Sequence, residues 1–263
     1  MAIVTLTTDF GLRDPWVGGV KGVLLSIAPD AVLVDLTHEI PRHAVSAAAY
    51  VLAATSGYFP VGTVHLVVVD PGVGGARRAL ACEAGGARFV GPDNGVFGRV
   101  LRRHPDARCV EITDPRVMLK PPGESPTFQG RDVFAPAAAW LARGMAIANL
   151  GPAINDPTQL PVSEASRNGT DWTGEVVWVD RFGNLISNIE VPRGVSVDAV
   201  RVGETDLRVV TSYQAVVPGT AAALVNSDGL IEMFVNRGDA SLALKASIGT
   251  RVTAGMSPAR GQA

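Results

Sequence analysis

Apolar positions in the first 150 residues follow two periods that alternate along the chain. Residues 3–9, 32–38, 63–70 and 108–113 are short apolar runs of strand length. The run 63–70 is apolar on both faces and reads as a central strand. Residues 15–27, 45–56 and 133–143 instead carry helical spacing, the first with Pro15 in its opening turn and the last rich in alanine. Residues 79–82 and 88–91 flank a glycine turn and read as a hairpin, and 94–103 as a short helix. Alternation of this kind predicts an α/β domain with a mostly parallel sheet and helices on both faces.

The pattern changes near residue 150. Residues 155–173 are rich in Pro, Ser, Asn and Thr and read as a linker. Beyond them, strand-like runs at 175–181, 185–191, 199–202, 207–211, 221–225, 230–234, 241–245 and 251–254 are separated by turn residues, with no amphipathic helix between them. The expected organisation is an N-terminal α/β domain over 1–160 and a smaller all-β barrel over 172–256.

Composition narrows the classes of function. Of 263 residues, 47% are hydrophobic and 18% charged, which fits a packed globular chain. A formal charge of −2 argues against nucleic-acid binding and against attraction to a membrane surface. The most apolar stretch, 44–54, is about half the ~20 residues that a bilayer span requires. The N-terminus has no basic leader and enters a strand pattern at once. Cys82 and Cys109 form no CxxC pair and suit a reducing compartment as small core residues. A cytoplasmic location is therefore expected.

Known motif chemistry is largely excluded. His38, His43, His65 and His104 show no HxxxH or HxH spacing and no supporting acid cluster, so no metal is expected. GxxxxGK[ST], GxGxxG and GxSxG are all absent.

The stretch Val67-Val68-Val69-Asp70-Pro71-Gly72-Val73-Gly74-Gly75-Ala76-Arg77-Arg78 carries the strongest signal. An apolar strand ends in a carboxylate, a Gly/Pro turn follows, and two guanidinium groups come next. This brings Asp70 and Arg77 to one point at the carboxyl edge of a sheet, where open α/β folds bind ligands. A surface ion pair at a strand end would give the same local sequence. Asp9 ends the first strand, where a carboxylate can accept hydrogen bonds from ribose hydroxyls; Asp14, just before Pro15, is either a ligand group or a helix cap. Two further clusters are Thr127-Phe128-Gln129-Gly130-Arg131-Asp132 and Asp180-Arg181-Phe182-Gly183-Asn184, the second also readable as a plain hairpin turn.

Together with Gly91-Pro92-Asp93-Asn94-Gly95 and Asn226-Ser227-x-Gly229, these segments occur in an order that resembles the S-adenosyl-L-methionine hydroxide adenosyltransferase family, relatives of the fluorinase and chlorinase. The likeness spans roughly residues 3–255. It implies an α/β domain followed by a β-barrel, in a homotrimer. The adenosylmethionine would lie between the N-terminal domain of one subunit and the C-terminal domain of its neighbour. By the same resemblance Asp9 would hold the ribose hydroxyls, and Asp14, Asp180 and Ser227 the methionine end. Asn184 would read the adenine edge with Phe182 packed nearby. Adenosylmethionine would be the substrate, with adenosine as product and no separate cofactor.

The family's water-activating groups are Asp, Arg and His, and Asp70 and Arg77 match the first two. The third position holds Gln129, where the family motif has histidine. A glutamine amide orients a water but takes no proton near neutral pH, which predicts a slower hydrolase. Halogenases of the family place tyrosine where this chain has Asp70; a carboxylate there would repel a halide and favours hydrolysis. The alternative is a non-catalytic adenosine or adenosylmethionine binder that kept the pocket.

Overall fold

The computed structural model describes residues 1–121, 123–160 and 165–258. The chain divides into two compact units, Met1–Leu160 and Pro161–Ala263. In the first unit, β1 (Ile3–Thr8), α1 (Trp16–Ile27), β2 (Val32–Thr37), α2 (Val45–Thr55) and β3 (Val64–Val68) alternate as the sequence periods require. They are followed by β4 (Ala79–Ala84), β5 (Ala87–Pro92), α3 (Gly98–Arg103), β6 (Arg108–Glu111), α4 (Ala135–Ala142) and β7 (Ala153–Ile154). The strands form one sheet in the order β2-β1-β3-β5-β4-β6-β7.

The pairings β1–β2, β1–β3 and β3–β5 are parallel. The rest of the sheet is antiparallel, because the tight β4–β5 turn at Gly85 and Gly86 sends the chain back without a crossover helix. The sheet is therefore mixed, and its parallel half carries the strand ends discussed below.

Every residue of β3 is buried, as a strand covered on both faces must be. Val4, Leu6, Leu66 and Val68 pack with Leu24 of α1 and with Ala137 and Ala138 of α4 in the main core. On adjacent positions Thr5 and His65 meet at 2.8 Å between Oγ1 and Nδ1, and the imidazole stacks on Phe89 with centroids 5.0 Å apart. Burial pushes His65 down to about 4, so it serves as a neutral core group.

The second unit contains β8 (Ser166–Asn168), β9 (Asp171–Val179), β10 (Leu185–Glu190), β11 (Val195–Val202), β12 (Thr205–Leu207), β13 (Ala221–Val225), β14 (Leu230–Val235), α5 (Ala240–Ala243) and β15 (Arg251–Pro258). The antiparallel order is β12-β11-β15-β9-β10-β14-β13, with β8 on β9. Beyond β12 the chain reaches the opposite edge: Val210 N–H donates to Ala223 O at 2.8 Å and Ala223 N–H to Arg208 O at 2.9 Å. These bonds bring the two edges together and make the sheet a near-closed barrel around Val176, Leu185, Ile231, Met233 and Val252.

Two local expectations change. Residues 241–245 do not form a strand: the Asp239 carboxylate accepts from Leu242 N–H at 2.9 Å and caps the single-turn α5. The end of the expected linker is a hairpin, β8 paired with β9 around Gly169; residues 161–164 of that linker lie outside the described residues. Among the described residues no helix is long and apolar enough to cross a membrane.

Candidate functional site

Two residues past β3 the chain turns through Pro71 and Gly72, and Arg77 folds back onto Asp70. Arg77 Nε donates to both carboxylate oxygens at 3.1 Å, and Nη2 donates to Oδ2 as well. The same Nη2 donates to Gln129 Oε1. Asp70 and Arg77 side chains are 5% and 11% exposed, and Gln129 is 2% exposed, so the cluster is shielded from bulk water. The Arg77 guanidinium also lies 5.2 Å from the centroid of Phe134. Arg77 thus hydrogen-bonds both of the other residues expected to activate water, Asp70 and Gln129.

A close backbone approach holds them there. Gly74 has φ +76°, and a Cβ on it would stand 2.2 Å from Pro126 O. Glycine lets the loop after β3 lie flat against the segment that leads into Gln129. From Gln129 the chain enters a π-helical turn, Gly130–Phe134, and then α4. Such turns often mark functional positions. Beneath it Asp132 accepts from Arg131 Nε at 2.7 Å and from the Ser125 hydroxyl. Burial alone would raise the Asp132 carboxyl, but these bonds hold it below its ordinary value.

Asp70 and Gln129 line a cavity of about 310 Å³ with Asp9, Phe10, Trp16, Arg42, His43 and Phe128. Arg77 stands behind them. Phe128 meets Phe10 and Trp16 edge-on, at centroid distances of 5.9 and 5.4 Å, and these rings form an apolar wall. Asp9 follows β1, and its Oδ2 accepts from the His43 backbone N–H at 2.9 Å. His43 delivers that N–H from a left-handed backbone, φ +65°, uncommon for a non-glycine residue. The loop is braced below: Phe10 N–H donates to Thr8 Oγ1 at 3.2 Å, and the Thr8 hydroxyl lies 2.8 Å from His38 Nδ1. Asp14 is exposed outside the cavity lining and does not cap α1, whose N-cap position is Pro15 with no side-chain bond.

In the second unit a cavity of about 450 Å³ is lined by Asp180, Phe182, Asn184, Tyr213, Phe234 and Arg237, among others. The turn between β9 and β10 is organised by Asp180. Its Oδ1 accepts from the Phe182 and Asn184 backbone N–H groups, both at 2.8 Å. Its Oδ2 accepts from Asn184 Nδ2 at 3.0 Å. The carboxylate therefore fixes the Asn184 amide, whose oxygen has no hydrogen-bond partner among the described residues. Phe182 is 75% exposed. Ser227 is exposed in the turn between β13 and β14 and is not among that cavity's lining residues.

Sequence reasoning passed over three groups here. His43 and Trp16 line the first cavity. Tyr213 lines the second, and its hydroxyl donates to the buried Glu232 at 2.7 Å. Burial raises the Glu232 carboxyl. A glutamate within an otherwise apolar strand run was the available signal. Among the described residues no group of three or more His, Cys, Asp or Glu side chains is placed to hold a metal ion.

Residues 4–151 match the SAM hydroxide adenosyltransferase N-terminal domain, and residues 174–253 match the corresponding C-terminal domain. The chain is 43% identical over 251 residues to an (R)-S-adenosyl-L-methionine hydrolase of Thermus thermophilus, covering 93% of this chain and 96% of the relative. A second (R)-S-adenosyl-L-methionine hydrolase, from Salinispora arenicola, is 39% identical over 266 residues, covering 96% and 98%. The crystal structure of an uncharacterized conserved protein from Thermotoga maritima superposes with a TM-score of 0.87 at 34% identity, covering 97% of this chain and 99% of that one. The chain belongs to the SAM hydroxide adenosyltransferase family.

Proposed function

We propose that this protein hydrolyses S-adenosyl-L-methionine to adenosine and L-methionine, with water attacking C5′ and the sulfonium leaving. The observation that carries this reading is the shielded Asp70–Arg77–Gln129 cluster at the wall of the first cavity. Full-length relatives at about 40% identity bear the name (R)-S-adenosyl-L-methionine hydrolase, which supports the same substrate and its (R) sulfonium form here.

The chemistry asks little of an acid, because a sulfonium leaves as a neutral thioether. The protein must hold a water in line with the C5′–S bond and stabilise the hydroxide character that develops on it. Arg77 supplies positive potential from behind the wall. Asp70 orients the water. The Gln129 carbonyl is occupied by Arg77, so its amide N–H groups remain to hold the water or the developing oxygen.

In this reading Asp9 takes the ribose hydroxyls, and Asn184, with its amide bonded to Asp180, reads adenine beside Phe182. Asp14, Asp180 and Ser227 are assigned to the methionine end. The proposed assembly is a cytoplasmic homotrimer that shares adenosylmethionine between subunits. Sedimentation velocity should give a trimer; a monomer that binds adenosine tightly would contradict that assembly.

The reading is tested by incubating purified protein with each sulfonium diastereomer and resolving the products by chromatography. Adenosine and methionine in equal amounts are expected, faster from the (R) form. Tight adenosine binding with no adenosine above the uncatalysed background would identify a binding protein instead.

A further inference from the structure

We infer that His43 is the group that accepts the proton from the attacking water, an assignment that rests on the hydrolysis proposed above. Hydrogen bonding around the first cavity leaves few candidates. Both Asp70 oxygens accept from Arg77, and the Gln129 oxygen accepts from the same guanidinium. The Gln129 amide can otherwise only donate. Asp9 gives one oxygen to the His43 backbone N–H and is assigned to ribose. His43 lines the same cavity, and among the described residues its ring nitrogens take no hydrogen-bond partner. Of the side chains on this wall, imidazole is the one with a nitrogen lone pair able to serve as a general base.

Its placement is built rather than incidental. The left-handed backbone at His43 is fixed by the bond to Asp9, by Ala44 N–H to Pro41 O at 2.9 Å and by Val45 N–H to His43 O at 3.0 Å. Strain of this kind persists where surrounding bonds over-determine it, and functional sites are common among such places. The residue is also exposed, which gives the proton an exit to solvent.

The step balances without a further reactant. A lone pair on the water oxygen forms the bond to C5′ while the C5′–S bond breaks and its electron pair stays on sulfur. The surplus proton passes to the His43 imidazole, and the imidazolium then releases it to bulk water. The sulfonium's positive charge thus ends as the released proton. The other charged groups lining this cavity are Asp9, just after β1, Asp70 from the loop after β3, with Arg77 paired behind it, and Arg42 from its own loop. The segment 127–130 brings none.

The test is the pH–rate profile of adenosine formation in the wild type and in His43→Asn. Asparagine accepts a left-handed backbone and keeps the N–H to Asp9. The wild-type rate should fall on acidification. His43→Asn should lose about 10²–10⁴-fold in kcat, as removal of a general base does, and lose that acid limb. Adenosine affinity, read by calorimetry, should stay within about threefold, and added imidazole should restore part of the rate.

A variant that keeps the wild-type rate, or loses rate while keeping the acid limb, overturns the assignment. If the variant does not fold, the wild-type profile decides alone, and a rate that does not fall on acidification rejects the base. A wild type that forms no adenosine overturns the hydrolysis itself, and the base with it. An active wild type with an indifferent His43→Asn variant overturns the base alone.

Discussion

Arg77 joins the two groups that face the first cavity, so its removal should have two separable effects. Arg77→Ala leaves the Asp70 carboxylate shielded without its cation, which costs about 3–5 kcal/mol when a buried pair loses one member. It also removes positive potential near the attacking oxygen, worth roughly 10²–10³-fold in rate on the scale of an oxyanion-hole donor. Chemical denaturation and adenosine release by the same variant measure the two. Normal stability with normal turnover would show that Arg77 is an ordinary ion-pair partner. Gln129→His tests the neighbouring position. A neutral imidazole there has one acceptor nitrogen, which can take a proton once it gives up the bond from Arg77, so turnover should rise by about 10²-fold, the low end of acid–base effects. An unchanged rate in an active protein would remove position 129 from water activation.

The elements that present these residues were legible to different degrees, for physical reasons. The strand before Asp70 and the helix after Pro15 declared themselves through long, consistent periods. The single turn capped by Asp239 did not, because four residues are too few for a helical period to differ from a strand's. The hairpin at Gly169 read as linker because turn residues serve both purposes. Gln129 and Asp70 were visible as motif positions, whereas His43 and Tyr213 reach their cavities from segments with no distinguishing spacing.

At the loop after β3, Gly74→Ala should be damaging. The added methyl group meets Pro126 O on a backbone with φ +76°, and a loss of about 2 kcal/mol with a parallel loss of turnover is expected. A fully stable, fully active variant would show that the close approach is dispensable.

On β14, burial raises the Glu232 carboxyl above its unfolded value. Its contribution to stability is then greatest at acid pH and is lost as pH rises through the folded value. Glu232→Gln keeps an acceptor for the Tyr213 hydroxyl and removes the buried charge. The gain in melting temperature over wild type should therefore be larger at pH 8 than at pH 5. A gain that is larger at pH 5 would contradict the burial argument.

At the scale of the whole molecule, six short motifs in a fixed order identified the family where no one of them would have done so. Family matches over residues 4–151 and 174–253 account for both units. The order of segments carries this information because each is a turn or strand end whose neighbours are set by the fold. Side-chain hydrogen bonding within the site is not written in that order, which is why the Asp180–Asn184 bond and the Arg77–Gln129 bond are visible only in the folded chain. The central claim is that solvent water is the nucleophile at C5′. Turnover of adenosylmethionine in ¹⁸O-enriched water, followed by mass spectrometry of the nucleoside, tests it directly. Adenosine carrying one solvent-derived oxygen at the 5′ position, formed in step with methionine, is expected. No adenosine above the uncatalysed background, or adenosine without the solvent label, would contradict it.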